Sequence, residues 1–115
     1  MKLSQKKCLP CEGGAPKLPL KEAEILNAQL HTPWTIVDEM KIVRVFSFPD
    51  FIETMKFVNL VADLSEEEGH HPVMHVFYSK VEIELWTHAI LGLSENDFIL
   101  AAKIEETYNG HIPGS

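Results

Sequence analysis

Glu66-Glu67-Glu68-Gly69-His70-His71-Pro72 decides how this chain is read, because a helical pattern runs into it and a strand pattern runs out of it. Upstream, Phe51, Met55, Val58 and Ala62 step by three or four, which predicts one buried stripe on a helix from about Pro49 to Glu67. A proline in the first turn, followed by Asp50, suits the start of such a helix. Pro72 ends the helical region. Downstream, Val73 to Phe77 and Val81 to Trp86 predict a hairpin around Tyr78-Ser79-Lys80. Val81, Ile83 and Leu85 should face a core, with Glu82 and Glu84 in solvent. His75 fits either the solvent face or the neighbourhood of the histidines.

The flanks carry the same alternation of elements. Leu20, Ala23, Ile25, Leu26 and Leu30 predict a helix over about 20–30, closed by His31-Thr32-Pro33. Trp34 to Val37, a turn at Asp38-Glu39 and the β-branched run Lys41 to Phe48 predict a hairpin, with Ile42, Arg44, Phe46 and Phe48 on one side. Ser94, three residues before Asp97, is an acidic variant of a capping box. The helix it opens should carry Phe98, Ala101, Ala102 and Ile104 and stop at Gly110. The expected fold is α+β, a four-stranded mostly antiparallel sheet with three helices packed on one face, in the order α-β-β-α-β-β-α. Its other face then needs a partner or the leader to cover it. Residues 1–18, with Pro10, Gly13, Gly14 and Pro16, read as an irregular leader, 19–110 as a single domain and 111–115 as a tail.

A chain of 115 residues with 45% hydrophobic and 23% charged residues has the size and composition of one globular domain. A net charge of -7 argues against nucleic acid as a partner, since binding there needs positive charge to displace counterions from phosphates. No apolar run approaches the roughly 20 residues that span a bilayer, and no apolar signal core follows the Lys-rich start. A cytoplasmic address without membrane attachment is therefore expected. Cys8-Leu9-Pro10-Cys11 could be a redox pair or half of a zinc site, but no second CxxC completes the site and no thioredoxin-like pattern surrounds it.

The chemistry concentrates on His70, His71 and His88. The hairpin returns His88, which follows its last strand, to the neighbourhood of the paired histidines before its first. Imidazole exchanges a proton close to neutral pH, so the three form a plausible proton-transfer apparatus. Two other readings stand beside this one. Histidines at a helix end can interact with its dipole and last carbonyls. Alternatively, three histidines and Glu66 could fill a zinc shell, although HExxH spacing is absent. Three glutamates at the negative end of a helix oppose its dipole, which marks the place as one where a site is expected. No nucleophile elbow and no phosphate-cradling glycine loop is present, so cofactor-free hydration, dehydration or isomerisation fits the equipment best.

Glu66-x-x-x-His70-His71-Pro72, Tyr78-x-Lys80-Val81, Trp86-Thr87-His88 and Gly92-Leu93-Ser94-Glu95-Asn96-Asp97 followed by Phe98-Ile99-Leu100-Ala101 together resemble the pterin-4a-carbinolamine dehydratase family, in order and spacing from Leu20 to Tyr108. The resemblance implies loss of water from 4a-hydroxytetrahydropterin to give quinonoid dihydropterin, the recycling step after aromatic amino acid hydroxylation, with no metal or cofactor. It implies that His70 and His88 are the acid/base groups, that His71 orients the pterin, that Pro72 and the backbone of Thr87, His88, Ala89 and Ile90 line the site, and that Glu66 stands beside it. It also implies edge-strand pairing between subunits into dimers that can form tetramers through the central helices, and an aromatic amino acid hydroxylase as a possible partner. The chain departs from the family at Gly69, where Asp or Asn is frequent, at Met74, and at Ala89-Ile90-Leu91, where bacterial members often show Asp-Ala-Gly. The alternative function is a non-catalytic dimerisation or binding module that acts on a protein partner.

Overall fold

The computed structural model describes residues 2–9 and 16–111, the last for its backbone alone. Cys11, and with it the CxxC as a pair, lies outside the described residues, as do residues 112–115 of the expected tail. Helices α1 (Leu20–Asn27), α2 (Phe51–Glu68) and α3 (Glu95–His111) alternate with strands β1 (Thr35–Val37), β2 (Lys41–Ser47), β3 (Val73–Val76) and β4 (Lys80–Leu85) in the expected order. The sheet runs β1-β2-β4-β3 and every neighbouring pair is antiparallel. Positive φ at Asp38 and Glu39 makes the tight turn that sets the first hairpin's register, with Val37 opposite Lys41.

The central pairing of β2 with β4 sets Ile42 against Leu85 and Phe46 against Val81. Because side chains alternate along a strand, these four and Ile83 face the helices and are fully buried. Val45, Glu82, Glu84 and His75 lie on the opposite, open face, which resolves the position of His75. Phe46, Phe48, Phe57 and Tyr108 form an aromatic cluster between sheet, α2 and α3, with ring centroids 4.9–5.7 Å apart.

Four local expectations are corrected. The buried stripe of α2 is Thr54, Phe57, Val61, Ser65 and Glu68, while Phe51 and Ala62 are exposed and Met55 and Val58 half-buried. Apolar residues occur on two adjoining faces of this helix, and the one turned inward is the one its end contacts select: Thr54 Oγ1 donates to the Tyr78 carbonyl at one end, and Glu68 is held at the other. Helix α1 stops at Asn27, because the Asn27 side chain pairs with the backbone of Trp34 and turns the chain there; Ile25 points outward. Helix α3 continues through Gly110 to His111, since glycine ends a helix only where φ turns positive, and among the described glycines that occurs at Gly69 alone. Asp50 is the N-cap of α2, its carboxylate accepting from Glu53 N–H at 2.8 Å, so the helix opens two residues after Pro49.

The described residues of the leader do not lie on the open sheet face. Residues 2–9 run along α3, with Leu3 buried, Ser4 bonded to Glu106, Lys6 to Glu95 and Leu9 to Asn96.

Candidate functional site

Gly69 ends α2 at φ +66°. A side chain is strained in that left-handed region, and Gly, Asn and Asp are the residues that adopt it most readily, so the departure from Asp or Asn here keeps the backbone turn. The turn sends the next two residues to opposite environments. His70 is buried at 3% exposure, while His71 is exposed and its Nε2 lies 2.5 Å from the Glu66 carboxylate one turn back. Adjacent positions thus hold one fixed imidazole and one solvated imidazole.

His70 Nε2 lies 2.7 Å from Oδ1 of Asp97, which is fully buried. The other carboxylate oxygen, Oδ2, accepts from Thr87 Oγ1 and from the Ser94 N–H, each at 2.9 Å. A carboxylate accepts only, so Asp97 selects the His70 tautomer that carries hydrogen on Nε2. The Ser94 contact is the carboxylate half of the expected capping box. The Ser94 hydroxyl lies 2.7 Å from Thr87 Oγ1, tying the start of α3 to the end of β4.

Beyond β4, the backbone of Thr87 pairs with Gly92 and closes a tight loop whose residues His88–Ile90 form one 3-10 turn. His88 projects from it and stacks on Trp86, centroids 4.5 Å apart and planes 25° from parallel. Gly69, His70, His71, Trp86, His88 and Ala89 line one cavity of about 130 Å³. The three histidines and Ala89 therefore meet as one site. Pro72, Thr87 and Ile90 are not part of this lining, and the Thr87 side chain turns inward to Asp97; Glu66 reaches the site through His71.

Zinc at the three histidines would need one ring nitrogen of each to converge, and among the described residues these three are not a set whose ligand atoms do so. Among the described residues, the set whose ligand atoms converge is His75, Glu82 and Glu84 on the open sheet face, where Lys41 also pairs with Glu84. The Lys41 ammonium and then His75 hold the Glu84 carboxyl below its ordinary value. Burial, reinforced by the Glu68 carboxylate, pushes the Cys8 thiol up to about 12, so it is not a ready nucleophile.

The family description "Pterin 4 alpha carbinolamine dehydratase" matches residues 17–107. The chain belongs to that family. A relative from Nitrosomonas europaea is 52% identical over 90% of this chain and 90% of its own, and one from Rickettsia canadensis is 46% identical over 90% and 94%; both are provisionally named pterin-4-alpha-carbinolamine dehydratase. The crystal structure of a transcriptional coactivator/pterin dehydratase from Brucella melitensis superposes with a TM-score of 0.76 at 30% identity, covering 81% of this chain and 99% of that one. A pterin dehydratase-like protein described as a RuBisCO assembly factor of the alpha-carboxysome superposes at 0.59 and 29% identity, covering 68% and 92%.

Within this pterin dehydratase fold, two members of the site escaped the reading of the sequence. The sequence places Asp97 at a helix cap, and its carboxylate does serve there, while its other oxygen holds His70. Trp86 falls at the end of a predicted strand, where its alternation alone carries no site. The available signal was that an acidic residue at a cap and an aromatic next to the Thr87-His88 pair each fell within the motifs that carry the family resemblance.

Proposed function

We propose that this chain is a hydro-lyase that removes water from 4a-hydroxytetrahydropterin by histidine acid/base catalysis and returns quinonoid dihydropterin to the cofactor cycle of aromatic amino acid hydroxylation. The observation that carries the reading is the buried His70–Asp97 pair opening on a cavity shared with His71 and His88. In the proposed reaction the C4a–O bond breaks and hydroxide leaves as water with a proton from one imidazole. The N5 proton passes to a second imidazole as the C4a–N5 double bond forms. His70 and His88 fill these two roles, and His71, steadied by Glu66, orients the pterin. The Trp86 ring beside His88 supplies a flat wall suited to a bicyclic heteroaromatic substrate. Neither metal nor organic cofactor enters this scheme.

The reading extends to a homodimer or homotetramer acting in the cytoplasm beside a pterin-dependent hydroxylase. The test is the dehydration rate of 4a-hydroxytetrahydropterin generated in situ by such a hydroxylase. Wild type should accelerate it, and folded His88→Ala should lose about 10²- to 10⁴-fold, the usual contribution of a proton-transfer group. An inactive wild type that is folded would favour the second reading, a binding module for a protein partner, which the coactivator and assembly-factor names of its structural neighbours support.

A further inference from the structure

Glu68 and Asn96 are buried polar residues that the proposed chemistry does not use. Glu68 precedes His70 by two positions and Asn96 immediately precedes Asp97. Both are occupied by the backbone of the leader. The Cys8 N–H donates to Glu68 Oε1 at 2.9 Å. The Leu9 N–H donates to Asn96 Oδ1 at 2.8 Å, and Asn96 Nδ2 donates back to the Leu9 carbonyl at 2.8 Å. The Cys8 thiol reaches the Asn96 carbonyl at 3.6 Å, and the second Glu68 oxygen lies 3.5 Å from Lys103 on α3. These two leader residues thus bridge the last turn of α2 and the first turn of α3, the two elements that deliver His70 and Asp97.

Helix ends are where backbone groups lack intrahelical partners and where ladders fray, so two ends that must hold a 2.7 Å contact between them need an outside constraint. A carboxylate buried at the negative end of a helix is otherwise unfavourable, and the Cys8 N–H with Lys103 accounts for it. Residues 8 and 9 lie outside the span matched by the family, 17–107, so the constraint comes from a part of the chain that the family description does not include.

We propose that the Cys8–Leu9 strap is a positioning element for the His70–Asp97 pair, acting through Glu68 and Asn96. The catalytic part of this inference rests on the proposed dehydration, whereas its geometric part does not. Leu9 is half exposed, so Leu9→Pro removes the N–H bonded to Asn96 with little loss of packing. Leu9→Ala keeps both backbone groups.

In the full chain, Leu9→Pro should lower kcat about tenfold or more at little-changed KM, since small misplacements of reacting groups are costly. It should also shift the side-chain ¹⁵N and ¹H resonances of His70, while Leu9→Ala retains wild-type values of both. Asn96→Asp, which sets a carboxylate against the Leu9 carbonyl, should act in the same direction and serves if the proline variant does not fold. A loss of thermal stability with His70 resonances and kcat unchanged would make the strap merely structural and overturn the proposal. If wild type proves inactive, the proposed reaction fails, and the His70 resonances alone decide the role of the strap.

Discussion

Asp97 has the most demanding position of any side chain in the site, because it serves a helix cap through one oxygen and an imidazole through the other. Asp97→Asn nearly preserves its shape but offers an amide that can turn a donor toward His70 and favour the other tautomer. We expect a kcat loss of about 10²-fold or more, with a melting temperature within a few degrees of wild type, because orientation rather than packing is what changes. Unchanged kcat in the folded variant would remove Asp97 from the mechanism. Leu91 makes a different demand. It holds φ +48° and is largely exposed, in the loop that presents His88, where the family resemblance leads one to expect glycine. Left-handed backbone costs a side chain about 1–2 kcal/mol, partly offset by the greater freedom of glycine in the unfolded chain. Leu91→Gly should therefore raise stability by up to about 1 kcal/mol, read as a higher midpoint in urea.

At the scale of elements, the end of α2 and the start of α3 behave as one unit joined by His70–Asp97 in front and the leader behind. Glu68 makes this unit sensitive to acid. Burial by itself raises its carboxyl, but the Cys8 N–H and the Lys103 ammonium together outweigh burial and hold it below its ordinary value of 4.5. A carboxyl whose folded value is depressed contributes stability above its unfolded value and loses it as pH falls through the folded one. Wild type should accordingly lose stability as pH drops below about 4.5, and Glu68→Gln should show a shallower acid limb in thermal melts. Equal slopes for the two proteins would show that Glu68 does not report on this junction.

At the scale of the whole molecule, the sheet buries one face under three helices and leaves the other to solvent, and β3 is an unpaired edge among the described residues. Phe51 and Ile52 stand exposed at the start of α2, and Phe77 and Tyr78 are exposed in the β3–β4 turn that bonds to it. Contiguous exposed apolar surface marks association sites, and an open strand edge is a ready template for pairing. The expected solution mass is a multiple of the 13.0 kDa protomer, and Ile52→Lys should shift the population toward smaller species in light scattering. A wild-type monomer at micromolar concentration would refute assembly through these surfaces.

Period, with the prolines, caps and turns that bound it, made the seven elements legible, because all of these are properties of neighbouring residues. Val81, Ile83 and Leu85 were assigned to the core from their register with Glu82 and Glu84, and they are there. The three histidines could be grouped because a hairpin returns its end to its beginning. Which face of α2 turns inward could not be read, since Phe51, Met55 and Val58 satisfy the same spacing as Phe57 and Val61, and only tertiary contacts, the packing of the helix together with those of Thr54 and Glu68 at its ends, choose between them. The second role of Asp97 was hidden for the same reason. Sequence distance of 27 residues to His70 carries no contact information, and a buried carboxylate at a cap looks identical to an exposed one until the tertiary structure sets an imidazole against it.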